Sequence, residues 1–217
     1  MIYTTVDYIQ KYYDVMSYII SRALHEKYSP EHIERTIAYS SAFLEFESSN
    51  ITQIAFSSYE PIYSKLFPES DNTEKFELDV FGVHSWVGMS YMYLFFKYKI
   101  TFEQLFALFP IEYMLKKFKI YHEMSFSHLT ELYEERMKTT PLDLFMTKRM
   151  VKSTDISRKT GIPLNTIKSL RYKERDISKF GLFNLMKIAN ELNIRPESLL
   201  FEIPLKLDKE VEDILWN

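Results

Sequence analysis

Apolar residues recur at helical spacing along most of the chain. Across residues 5–25, Val6, Ile9, Tyr13, Met16, Ile20 and Ala23 fall three or four apart, which predicts a helix with one face turned to a core or a partner. Ser29-Pro30-Glu31 predicts the next helix start, because serine caps open amides, proline suits the first helical position and glutamate favours the positive end of the dipole. That pattern predicts a second helix reaching Glu47. A short apolar segment that contains Pro61 occupies residues 59–67, and the polar run 68–75 reads as an exposed loop. Residues 76–81 alternate like a strand yet have no obvious partner strand, so helix and strand stay equally open there.

Residues 84–98 are apolar on nearly every side, as a helix buried inside a bundle should be. Thr101-Phe102-Glu103-Gln104 has capping-box spacing and opens a helix that Pro110 interrupts; helical patterns follow at 111–123 and 126–137. A boundary is expected near Lys138-Thr139-Thr140. No internal repeat, low-complexity tract or extended heptad pattern occurs.

Four glycines and eight prolines are too few for a chain rich in tight β-turns, so the expectation is an all-α protein. With no cysteine, disulfides, thiolate zinc sites and cysteine nucleophiles are excluded, and a reducing cytoplasm is the natural home. The N-terminus lacks the basic and apolar regions of a signal peptide, and the most apolar stretch, 85–96, is too short to span a bilayer; no membrane association is expected.

Charge changes the picture. The formal net charge is only -3, but residues 148–195 hold twelve Lys or Arg against four Asp or Glu, whereas residues 1–147 hold thirteen against twenty and residues 196–217 two against six. A basic module is flanked by acidic segments.

Inside that module, the segment from Thr154 to Leu170 has a derivable spacing. Two short helices that cross steeply need a small residue at their contact, a turn residue tolerant of positive φ, and inward apolar residues on the second helix. Ser157, Gly161 and the set Ile156, Ile162, Ile167 and Leu170 meet these needs in order. The segment resembles the XRE/lambda-repressor-like family of helix-turn-helix domains, and the likeness extends to a five-helix unit. Thr140-Pro141-Leu142-Asp143 starts its first helix, residues 154–160 and 164–172 form the second and third, 182–192 the fourth, and 193–200 the fifth with its lead-in.

The resemblance implies double-stranded DNA as partner, with helix 164–172 in the major groove. Carried over residue by residue, Leu164, Asn165, Lys168 and Ser169 are the base-reading candidates. Asparagine can pair with adenine, lysine can donate to guanine, and leucine can pack on a thymine methyl. Ser153, Thr154, Thr166, Arg171, Tyr172 and Lys173 are the phosphate candidates. Three departures stand out. Ser157 replaces the usual alanine, Arg171 and Lys173 stand where the family has an acidic residue and often a glycine, and the connection from Lys173 to Gly181 is about three residues longer than the common pattern.

The first 147 residues carry fifteen of the sixteen tyrosines and fourteen of the seventeen phenylalanines, either as filler for a helical core or dimer interface or as the lining of a pocket. His84, His122 and His128 lie near the most apolar helices, but no His-Glu-x-x-His spacing and no phosphate-binding glycine loop occurs, and Glu45 and Glu47 read as parts of a solvated face. No catalytic residue, metal site or cofactor is expected, so the chain is read as a non-enzyme. The expected division is an all-helical dimerisation, sensing or partner-binding domain at 1–139, a DNA-binding domain at 140–203 and an acidic tail at 204–217. The leading expectation is a homodimeric, sequence-specific transcriptional regulator with a protein partner or small ligand at its N-terminal domain. The rival is an antitoxin or phage-type interaction protein that binds a partner through that domain and autoregulates its operon.

Overall fold

The computed structural model describes residues 5–47, 58–70, 76–79 and 82–201. Among them every regular element is helical. The first two-thirds holds α1 (Thr5–His25), α2 (Pro30–Tyr39), α3 (Ser41–Glu47), α4 (Tyr59–Leu66), α5 (Val83–Tyr98), α6 (Phe102–Leu108), α7 (Ile111–Tyr121) and α8 (Ser127–Arg136). The remainder holds α9 (Pro141–Lys148), α10 (Ser153–Thr160), α11 (Leu164–Arg171) and α12 (Leu182–Leu192), with 3₁₀ turns at Ile177–Lys179 and Pro196–Leu199. Phe81, the tail 204–217 and the side chains of Val6, Ile9 and Glu45 lie outside the described residues.

The all-α expectation holds, with three local corrections. The helix expected to run on to Glu47 is broken at Ser40, whose backbone is extended (φ -73, ψ 142). The Ser40 hydroxyl donates to the Ile37 carbonyl at 3.2 Å and accepts from the Phe43 amide at 3.2 Å, so one side chain closes α2 and caps α3. Glu47, expected on a solvated face, is only 6% exposed. Residues 76–79, where helix and strand were both open, form neither. A strand needs a neighbour for its amides; what anchors this segment is the Phe76 ring, edge-on to Tyr18 with centroids 5.4 Å apart.

Helices α1 and α5 form the most extensive contact of the N-terminal part. Gly88 permits it: a Cβ there would sit 2.5 Å from the backbone N and Cα of Ser17, so only glycine lets the two backbones approach this closely. The Ser17 hydroxyl then donates to the Ser85 carbonyl at 3.0 Å. Much of the aromatic load fills the resulting core: Tyr63, Tyr91, Phe95, Phe96, Phe102 and Phe109 are almost wholly buried, and Phe95 stacks on Phe102 at 4.7 Å. A charged group is buried beside them. Arg22, 2% exposed, donates to Glu26 at 2.8 Å and to the Tyr18 hydroxyl at 2.7 Å, pairs with Glu60, and lies 4.5 Å from the Tyr63 ring centroid.

Apolar side chains gather into two clusters, one built from residues between Tyr12 and Tyr133, the other from residues between Leu142 and Leu199. Polar bonds join them. Arg195, from the second cluster's side, pairs with Glu47 at 2.7 Å and sits 3.8 Å from Glu103, both carboxylates being nearly buried. Glu103 also accepts from the Arg195 amide at 3.0 Å and the Ser198 hydroxyl at 2.7 Å, and Gln104 donates to the Leu200 carbonyl at 2.6 Å. Burial pushes the Glu47 carboxyl above its ordinary range, against the pull of Arg195.

Candidate nucleic-acid interface

The local sequence accounts for the motif step by step. Thr140 caps α9, accepting from the Asp143 amide at 3.1 Å, with Pro141 at the first helical position. Helix α10 ends at Gly161, which adopts φ 73; nothing lies within 4 Å of a Cβ built there, so the requirement for glycine is conformational rather than steric. The chain then enters α11 through Pro163, while the Ser157 hydroxyl donates to the Ile162 carbonyl at 2.7 Å across the turn. The serine that replaces the usual alanine therefore contributes a bond that alanine cannot make. Ile156, Ile162, Ile167 and Leu170 are all buried and lock α10 and α11 together through the second apolar cluster.

With its apolar side held inward, α11 turns its other side to solvent. Leu164, Asn165, Lys168 and Ser169 share that side, as residues spaced one, four and five along a helix must. Asn165 and Lys168 are exposed; Leu164 and Ser169 are half-buried, and the Ser169 hydroxyl donates to the Thr166 carbonyl at 3.0 Å.

The phosphate candidates are placed less uniformly. Thr154, Tyr172 and Lys173 are exposed, Thr166 is half-buried, and Ser153 is only 8% exposed. Arg171 turns its guanidinium to Asp143, with Nε 2.5 Å from the carboxylate, and its carbonyl accepts from Thr140 at 2.8 Å. Thus the basic residue at the family's acidic position ties α11 back to α9. Lys173 has φ 62, so a lysine adopts the left-handed conformation for which glycine is the ordinary choice.

The longer connection after Lys173 is ordered by its own bonds. The Ser169 carbonyl accepts from the Glu174 amide at 2.9 Å, and Asp176 caps the Ile177–Lys179 turn by accepting from the Ser178 amide at 2.9 Å. Ile177 at the turn's start is buried in the second cluster. Hydrogen bonds from Ser178 hold the Asp176 carboxyl below its ordinary range.

A cleft of about 210 Å³ lies beside the start of α11, with Thr166, Arg175, Asn184 and Lys187 on its walls. Sequence reasoning did not single out Arg175, Asn184 or Lys187. The spacing of three between Asn184 and Lys187 puts them on one face of α12, but only the packing of α12 beside α10 brings that face to the motif.

Among the described residues no group of three or more His, Cys, Asp or Glu side chains could hold a metal ion. No described helix is long and apolar enough to cross a membrane. His122 and His128 each lie beside a glutamate, Glu123 at 3.6 Å and Glu131 at 3.7 Å, on the surface of the N-terminal part. Burial lowers the His84 pKa from its ordinary value.

Residues 141–201 match the sequence model of the Cro/C1-type HTH DNA-binding domain. No curated protein and no solved structure matches the chain. The C-terminal part is therefore a DNA-binding domain of this type, as the resemblance of the sequence implied.

Proposed function

We propose that this chain, which carries a Cro/C1-type HTH DNA-binding domain at residues 141–201, is a sequence-specific transcriptional regulator that lays α11 in the major groove of double-stranded DNA. The observation that carries the reading is the two-sided character of α11: Ile167 and Leu170 are buried while Asn165 and Lys168 on its opposite side reach solvent. An exposed amide and ammonium one turn apart can meet the edges of neighbouring base pairs. Thr154, Thr166, Tyr172 and Lys173 fix register on the backbone, joined by Arg175 and Lys187 beside the start of α11. Arg171 acts chiefly through Asp143, holding the end of α11 in place.

The N-terminal residues 1–139 serve dimerisation and sensing in this reading, and a homodimer reads two half-sites about one helical turn apart. A cleft of about 650 Å³ between α2, α6 and α9 supports a sensing role, because its walls come from both apolar clusters. Glu31, Glu34 and Arg35 face Lys148 and Arg149 across it. A ligand seated there would contact both halves of the molecule.

The test is enrichment of fragments from random-sequence DNA, followed by affinity for the selected site and for unrelated duplex. An Asn165→Ala/Lys168→Ala variant is expected to lose roughly 1–3 kcal/mol of discrimination per base contact while keeping nonspecific binding. Equal loss on both DNAs, or no enriched site for the unaltered protein, refutes the assignment.

A further inference from the structure

The cleft of about 650 Å³ between α2, α6 and α9 has charges of both signs on its walls and an apolar floor. Helix α2 contributes Glu31, Glu34 and Arg35 from one face, since residues three and four apart lie together on a helix. By the same spacing α9 contributes Lys148 and Arg149 beside Phe145. The Phe106 and Phe145 rings, 3% and 2% exposed, form the floor. One wall therefore belongs to the N-terminal half of the molecule and the other to the DNA-binding domain.

These charges stand opposite one another without meeting. Glu34 accepts from the Ile111 amide at 2.7 Å, Lys148 donates to the Phe106 carbonyl at 3.3 Å, and Arg149 donates to the Asn193 carbonyl at 3.0 Å. All three partners are neutral backbone groups. Among the described residues no ion pair joins the carboxylates of α2 to the cations of α9, and Arg35, one turn from Glu31, does not pair with it either. Burial raises the Glu34 carboxyl pKa and lowers that of the Lys148 ammonium, so each charge has lost part of its water without an opposite charge in contact. A molecule that brings a cation to one wall and an anion to the other repairs both losses. A simple anion would suit Lys148 and Arg149 but be repelled by Glu31 and Glu34, and a simple cation would have the reverse fault.

We propose that this cleft binds a small zwitterion, a free α-amino acid or a short peptide, whose ammonium meets Glu31 and Glu34 and whose carboxylate meets Lys148 and Arg149. The inference rests on the sensing role proposed above and names the chemistry of its ligand. An apolar side chain lies on the Phe106 and Phe145 rings, where burial adds affinity that the two charges alone do not supply. Because the two ends of the ligand are held by different halves of the molecule, binding favours the orientation in which α2 and α9 are both in reach. Ligand and DNA then change each other's affinity by the same factor.

The experiment screens the full-length protein by thermal shift against the common free amino acids and a set of apolar dipeptides, at about 10 mM, and titrates those that raise Tm by calorimetry. Which set binds identifies the source of the zwitterion. Each binder is then compared with its N-acetylated and C-amidated forms, and blocking either end should weaken binding by roughly tenfold or more. In a Glu31→Gln/Glu34→Gln variant acetylation should lose its effect while amidation keeps it; in a Lys148→Met/Arg149→Gln variant the reverse should hold. A variant that merely folds less well does not produce that crossed pattern. Failure of every probe to bind, or equal affinity for free and blocked forms, overturns this inference and leaves DNA reading by α11 standing. A bound zwitterion that leaves affinity for a selected DNA site unchanged overturns the sensing role and leaves the binding site standing.

Discussion

Replacing Arg195 by alanine removes the guanidinium that pairs with Glu47 and lies beside Glu103, carboxylates that are 6% and 7% exposed. In the folded protein the guanidinium gives Glu47 two contacts, at 2.7 and 3.0 Å, and lies 3.8 Å from Glu103. Without it Glu47 keeps the Phe102 amide at 2.7 Å, and Glu103 keeps the Ser198 hydroxyl and the Tyr39 hydroxyl. Those neutral donors satisfy lone pairs but do not cancel two buried negative charges facing each other. Removing one partner of a buried pair costs about 3–5 kcal/mol, against roughly 0–1 kcal/mol for an exposed pair. For a chain of this size each kcal/mol moves Tm by about 2–4 °C, so Arg195→Ala should melt roughly 6–20 °C lower. Thermal melting and urea titration at neutral pH measure the loss. An Arg195→Met/Glu47→Gln variant, which removes the charge of both partners, should recover more than half of it. A loss below about 1 kcal/mol for Arg195→Ala would mean that water already reaches these carboxylates, and the account of the joint as a desolvated network would fail.

Three further outcomes follow from the same geometry. Gly161→Ala meets no atom within 4 Å but keeps φ 73, so urea titration should show a loss of about 1–2 kcal/mol from backbone conformation alone; a neutral result would show that the turn can relax. Gly88→Ala drives a methyl to within 2.5 Å of Ser17 backbone atoms and should cost about 1–3 kcal/mol or more, with the melt read by far-ultraviolet circular dichroism. An unchanged Tm would contradict the close approach of α1 and α5. For Glu26, burial raises the carboxyl pKa, but hydrogen bonds from Arg22, Ser70 and Tyr63 outweigh it and leave the pKa below its ordinary value of 4.5. The unfolded chain therefore holds that proton more readily, so this contribution is complete above about pH 4.5 and is lost as pH falls through the lower folded value. Glu26→Gln should flatten the dependence of stability on pH between about 5 and 3, and an identical acid-side slope in both proteins would refute the network's role.

Local grammar made much of the secondary structure legible. The apolar spacing of α1, the Pro30 and Pro141 starts and the Thr101 capping box act over four or five residues, and the structure has each of them. The turn at Gly161 was readable for the same reason: positive φ at a fixed offset from buried isoleucines has few chemical solutions. Ser40 was misread because a serine inside an apolar period fits a helix as well as a cap. Glu47 was misread because a helix pattern shows which face is polar, not whether another part of the chain will cover it.

By itself, then, the sequence determined that the chain is helical, where most helices start and stop, and that residues 141–201 form a basic helix-turn-helix unit, since those properties depend on propensity, capping and periodicity within a few residues. Tertiary structure alone decided that Arg195 meets Glu47 and Glu103, that Arg171 is tied to Asp143, and that Glu31 and Glu34 face Lys148 and Arg149 across a cleft. Arg195 and Glu47 are 148 positions apart in the chain. No local pattern encodes such a pairing, because it arises only when separately formed helices bury their apolar faces and carry their polar residues into contact.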